Sequence, residues 1–210
     1  MCITKNDKYQ TTVEDVSSYL KAIKKLTYKG IDPFTYNPTQ TRFLYRGLSD
    51  SSYKMIPGIF RLDEKNPEAK NSKYAGVLEG DILREFIDES RPIISDISDF
   101  CQLTWAQYAQ HYGVPTRLLD WTSNPLCALY FACAYNDKPG IIWALNKTKY
   151  VREFNQNDIS PSDFFDKVLC EITDPTYEFP IITKAPIIDA RISAQDSYFM
   201  VWGTNEKLNS

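Results

Sequence analysis

Three short stretches of this chain hold residues that could do chemistry. Tyr45-Arg46-Gly47 sets an arginine at the end of a short apolar run, with a glycine behind it. A planar guanidinium with five donors grips a phosphate or carboxylate at two points, and a glycine neighbour keeps the approach uncrowded. The plainer alternative is an edge-strand arginine in a surface ion pair. The second stretch, Gln110 to Pro125, packs His111, Thr116, Arg117, Asp120, Trp121, Thr122, Ser123 and Asn124 into sixteen positions. A core strand has no need of so many polar groups. Asp120 stands between Leu119 and Trp121, so it is costly to bury unless Arg117, His111 or a backbone N–H pairs with it. A structural pair tying helix to strand explains Asp120 and His111 as well as a catalytic role does, and Trp121 serves either as core or as a stacking face. In the third stretch, Arg191 to Phe199, polar residues from Ser193 to Ser197 interrupt a β-like run. That pattern marks a bulge at the edge of a site, or a polar turn.

Other chemistries are excluded. With His111 the one histidine, no two-histidine metal site can form, which removes HExxH zinc hydrolases and facial-triad iron enzymes. Five scattered cysteines without a CxxC leave neither a zinc ribbon nor a redox pair. They are expected as small buried hydrophobes in a reducing cytoplasm. No Gly-rich phosphate loop and no GxSxG elbow occurs. The net charge of −3 disfavours broad nucleic-acid binding. No apolar leader and no apolar run of membrane-spanning length is visible, so no membrane partner is expected.

These stretches need elements to position them. A helix is expected over Thr12–Leu26, capped by Thr11 and Glu14, with Val13, Val16, Leu20 and Ile23 as its buried stripe. Residues 30–41 read as loop, and Arg42–Arg46 as a strand with Phe43 and Tyr45 on one face and Leu44 and Arg46 on the other. Helices follow at Leu78, Ile82 and Phe86, and at Trp105, Tyr108, Ala109 and Tyr112, the latter ended by Gly113 and Pro115. Thr116–Thr122 reads as a strand, and Asn124-Pro125 as a helix start whose buried face is Leu126, Leu129, Tyr130 and Cys133. Ile141–Leu145 reads as a strand, Ser160-Pro161 starts a helix through Phe164, Phe165 and Val168, and Pro186–Trp202 is β-like. The elements do not alternate regularly, so the fold class is α+β, a mixed and mostly antiparallel sheet flanked by helices. A single domain is expected over residues 1–210, with an N-terminal helix and loop (1–41) and a motif-bearing core (42–202).

Leu44-Tyr45-Arg46-Gly47, the run from Gln110 to Pro125, Ala128-Leu129-Tyr130-Phe131-Ala132 and Arg191…Gln195…Phe199 together resemble the FRG domain family. That bacterial and phage family is named for its Phe/Tyr-Arg-Gly motif, and the resemblance spans at least Arg42 to Val201. The order of parts is also similar to the Arg–Ser–Glu class of ADP-ribosyltransferases. Arg46 matches their first-strand arginine. Asp120-Trp121-Thr122-Ser123, followed by Ala128 and Phe131-Ala132, matches their Ser-Thr-Ser strand and Ala-x-x-Phe-Ala helix. Gln195 falls where they carry a late glutamate.

The second resemblance implies an ADP-ribosyltransferase-like enzyme acting on NAD, as substrate rather than resident cofactor, or on a related nucleotide. Arg46 would be the anion anchor, and Asp120, Gln195 or Asp196 the group facing the scissile ribose. Tyr45, Gly47, His111, Arg117, Trp121, Thr122, Ser123, Asn124 and Arg191 would hold the ligand. A protein or nucleic acid would be the acceptor, and phage defence or toxin action the setting. Gln195 carries no charge, so two alternatives stand: a non-catalytic module that senses a nucleotide or nucleic-acid end, and a hydrolase or nuclease using carboxylates and Mg²⁺.

Overall fold

Alternation along Phe43–Leu48 makes the first strand. A computed structural model of the chain describes residues 10–28, 43–61, 79–94, 101–134, 137–154, 156–170, 174–185 and 196–204. Among them run α1 (Val16–Tyr28), β1 (Phe43–Leu48), α2 (Glu79–Ser90), α3 (Gln102–His111), β2 (Leu118–Thr122), α4 (Pro125–Cys133), β3 (Ile141–Asn146), α5 (Lys147–Glu153), α6 (Pro161–Leu169), β4 (Ile181–Lys184) and β5 (Ser197–Val201). The strands form one sheet in the order β3-β1-β2-β5-β4, and every neighbouring pair is antiparallel. The fold is therefore α+β, and the described sheet is wholly antiparallel rather than mixed.

Strand alternation divides the side chains between two faces. On the helical face, Leu118, Ile181, Phe199 and Val201 pack against Leu83 of α2, Trp105, Ala106 and Ala109 of α3, and Phe164, Phe165 and Val168 of α6. Phe164 and Phe165 are wholly buried, each contributing roughly 1.5–3 kcal/mol of transfer free energy. On the opposite, aromatic face, Leu44, Leu119, Trp121, Tyr198, Met200 and Trp202 meet Met55, Phe60, Trp143, Leu145 and Tyr150.

Several expected elements hold and several shift. Gly113 ends α3 at φ +86, where glycine is strain-free, and Asn124 caps α4 by accepting from the Leu126 amide at 3.0 Å. The buried stripe of α1 is not Val16 and Leu20, which are exposed; Tyr19 is the buried residue, its hydroxyl donating to the Pro125 carbonyl at 2.8 Å. Its start is fixed by Asp15 and Ser18, which exchange side-chain bonds to each other's amides, and not by Thr11 and Glu14. In α4, Leu126, Tyr130 and Cys133 are exposed, and Ala128 and Ala132 face inward. The reason is closeness: α4 lies against Gly47 of β1, where only small side chains fit. Periodicity alone gave no sign of α5 or β4. Cys101, Cys133 and Cys170 are exposed and Cys127 half-buried, contrary to the expected burial. Residues 30–41 and 186–195 lie outside the described residues.

Two buried polar clusters brace this frame. Glu79 at the start of α2 accepts from the Arg117 amide at 2.7 Å and from its Nε at 2.5 Å, with both side chains nearly buried. Removing one partner strands a buried charge, so Glu79→Ala should cost about 3 kcal/mol. Urea unfolding reads this directly, and a loss under about 1 kcal/mol would contradict it. After β1, Asp50 accepts from Lys138 Nζ at 2.7 Å and from the Ser52 amide and hydroxyl. These bonds hold its carboxyl down to about 2, from an ordinary 3.8. A depressed carboxyl stabilises the fold above its unfolded value, and that stabilisation is lost as pH falls through the folded one. The stability gap between the native chain and Asp50→Asn should therefore be constant above about pH 5 and close between about pH 4 and 2. A gap independent of pH would contradict the assignment.

Candidate functional site at the β1–β2 junction

β1 and β2 are neighbours, yet only Tyr45 and Thr122 stand in ladder register. By contrast, all six residues of β1 pair with β3, and all five of β2 with β5. The sheet is thus weakly stitched at its centre. Arg46 occupies that seam. Alternation puts it with Leu44 on the aromatic face, while Asp120, like Leu118, belongs to the helical face. Its Nη1 donates to the Asp120 main-chain carbonyl at 2.5 Å and stands 3.6 Å from the carboxylate Oδ2. Burial pulls the guanidinium below its ordinary value, Asp120 pushes it back up, and the charge of Arg61 lowers it again. It stays protonated, as arginine in proteins does.

Asp120 is the one exposed residue of β2, with four buried neighbours in the strand. Its side chain is 57% exposed in mid-strand at the centre of the sheet. The costly burial expected from Leu119 and Trp121 does not arise, because alternation sends those two to the other face. The carboxylate lies beside α3: Gln110 Nε2 donates to its two oxygens at 3.4 and 3.2 Å and to the Leu118 carbonyl at 3.2 Å. Gln110 is itself held by the Thr116 hydroxyl, which donates to Oε1 at 2.5 Å. Gln110 is thus the positioning residue that motif reading passed over. Its signal was its place eight residues before Leu118, on the last turn of the helix preceding the strand.

The other expected site residues are distributed as follows. Ser123 donates to the carboxylate of Asp196, and its amide to the Asp196 carbonyl at 3.2 Å. Asp196 has φ +42, the left-handed region, and Lys184 Nζ stands 3.8 Å from its other oxygen. Thr122 accepts from the Asn124 amide at 2.9 Å, so Thr122 and Asn124 shape the entry to α4. His111, half-buried at the end of α3, sits edge-on to Tyr112 at 5.2 Å. Tyr45 is 4% exposed, Gly47 lies against α4, Arg117 is bound to Glu79, and Trp121 lies in the aromatic core at 4%. Gln195 and Arg191 lie outside the described residues. Among the described residues no group of His, Cys, Asp and Glu could hold a metal ion.

A near-isosteric swap that removes the charge separates the two bonds at this junction. Arg46 donates to the Asp120 main chain, which Asp120→Asn leaves in place, and the exposed ion pair contributes at most about 1 kcal/mol. That variant should lose under about 1 kcal/mol of stability. A larger loss in chemical denaturation would make the Asp120 carboxylate a structural group.

Residues 41–140, which carry both the arginine strand and the Asp120 strand, match the family model of the FRG domain. The chain carries an FRG domain. The match to the FRG domain stops just before β3, so β3, β4 and β5, which complete the sheet around the junction, lie beyond it. Neither the curated proteins nor the solved structures hold a match to this chain. Among the described residues, no helix of this FRG domain protein is long and apolar enough to cross a membrane.

Proposed function

We propose that this FRG domain protein cleaves the glycosidic bond of NAD or a related nucleotide, transferring the ribosyl carbon to water or to an acceptor. The observation that carries the reading is a solvent-reaching carboxylate in mid-strand at the centre of the sheet, with the Arg46 guanidinium beside it at 3.6 Å. In the reaction, the bond from ribose C1′ to the pyridinium nitrogen breaks and its electron pair leaves with neutral nicotinamide. C1′ passes through an oxocarbenium-like state and bonds to the acceptor oxygen, whose proton goes to solvent. Asp120 stabilises the positive carbon, and Gln110 keeps the carboxylate aimed. Arg46 binds the nucleotide's phosphate oxygens through charge-assisted bonds. Ser123 and the Asp196 carboxylate it bonds are the second polar pair within reach of the ribose hydroxyls.

A second reading rests on Gln195, an uncharged residue where the resembled transferases carry glutamate. It makes the site a nucleotide sensor without chemistry. Incubation with NAD, with and without cell lysate as acceptor source, separates the two. Free nicotinamide, lost in Asp120→Ala, supports cleavage. NAD binding without release supports the sensor.

A further inference from the structure

Buried donors in native proteins are nearly always paired, so each exception calls for an occupant. Four buried side-chain polar atoms lack a hydrogen-bond partner among the described residues: Arg46 Nε, Trp121 Nε1, Trp143 Nε1 and Asp166 Oδ1. Three of the four are N–H donors, and they fall in one row. Arg46 stands opposite Trp143 in the β1–β3 ladder. On its other side, one step from the Tyr45–Thr122 pair, stands Trp121. Trp121 and Trp143 both pack into the aromatic-face cluster, the face to which alternation assigns Arg46. The row therefore crosses three adjacent strands, β3, β1 and β2, on the side of the sheet away from Asp120.

Indole and guanidinium N–H groups donate and cannot accept, so they cannot satisfy one another. What they lack is an acceptor. The charge around them has the same sense: Arg61, in the segment that brings Phe60 to this face, acts on Arg46 as a second positive charge. Asp120, the acid that pairs with Arg46, meets Nη1 and not Nε.

We propose that Arg46, Trp121 and Trp143 form a seat for a phosphoryl group at the β1–β2 seam. A water accepts at most two of three such bonds. A carboxylate offers two coplanar oxygens, whereas a phosphoryl group offers three spread in space. Donors drawn from three strands, each roughly 4.8 Å from the next, suit the latter. The Arg46 side chain is 13% exposed and Trp143 is only partly buried, so the row lies close to the surface along β1 and β3. The seat goes beyond the reading above, since it lies on the face of the sheet away from Asp120. It needs no glycosidic chemistry. A chain that binds pyrophosphate here and releases no nicotinamide keeps the seat and loses the reaction.

The test uses the full chain, inorganic pyrophosphate and phosphate as probes, and acetate as the carboxylate comparison, read by calorimetry and by tryptophan fluorescence. Pyrophosphate should bind, quench the fluorescence and outcompete acetate. Trp121→Phe and Trp143→Phe keep an aromatic ring and remove the N–H together with the indole's second ring, so each should weaken pyrophosphate binding about tenfold or more. Without ligand, the smaller ring leaves a void in the aromatic core, so both should melt below the parent, and binding is compared where circular dichroism shows them folded. Absence of heat and quenching with pyrophosphate overturns the proposal. So does pyrophosphate binding that both phenylalanine variants retain at parental strength, which would leave Arg46 acting alone, or acetate binding as tightly as pyrophosphate.

Discussion

Arg46→Ala should abolish nicotinamide release from NAD and leave a folded chain. Arg46 is a positioned cation at the one place where the central strands part, and its Nη1 fixes the Asp120 main chain at 2.5 Å. Loss of a preorganised donor from a reacting centre commonly costs roughly 10²- to 10³-fold in rate. Here the same change also removes the ligand's anchor, so the two losses compound. Stability should fall by about 1–3 kcal/mol, the cost of leaving the Asp120 carbonyl without its partner. Two cores, one on each face, remain to hold the sheet. Arg46→Lys should not rescue activity, since a point charge on a flexible stem cannot donate as a fork does. Rates measured beside circular dichroism decide the matter. Wholesale unfolding of the alanine variant would make Arg46 a structural residue.

Gly47→Ala should be the most damaging single methyl in the chain. A Cβ at that position would lie 2.8 Å from the Ala132 amide nitrogen and closer still to the Ala128 carbonyl oxygen. Both atoms belong to the backbone of α4, so no rotamer change relieves the clash. Either α4 lifts from β1 or the strand bends, and Arg46 moves with it. A cost above about 4 kcal/mol is expected, in the range reserved for named structural faults. Thermal unfolding shows it as a lost or sharply lowered transition. A variant that melts within a few degrees of the parent would mean that α4 and β1 are not packed as described.

Gly47 also shows what could and could not be read from residue order. The Tyr-Arg-Gly string was expected to keep a ligand's approach uncrowded, but the glycine is needed for a helix that packs on the other face. The inward choice of Ala128 and Ala132 over Leu126 and Tyr130 follows from the same contact, which no periodicity within α4 could disclose. Strand alternation, by contrast, was legible: it assigned Leu44 and Arg46 to one face of β1, and Thr116, Leu118, Asp120 and Thr122 to one face of their strand. That same alternation puts Trp121 on the face opposite Asp120, as the two cores show. The bond from Arg117 to Glu79 was not legible, because Glu79, thirty-eight positions earlier, has no visible motif linking it to the strand. Gln110 stands inside the motif without a role visible from its spacing, because its bond to Asp120 depends on how α3 docks beside β2. Long-range docking of this kind is set by the whole core, and short spacings do not encode it.

Quantifying free nicotinamide after incubating the chain with NAD, alongside calorimetry of NAD binding, tests whether the β1–β2 seam is a nucleotide-processing site. Time-dependent release, absent in Arg46→Ala and in Asp120→Ala chains that retain their folded spectra, is the expected result. Neither release nor heat of binding from the native chain, with acceptor lysate supplied, would contradict it.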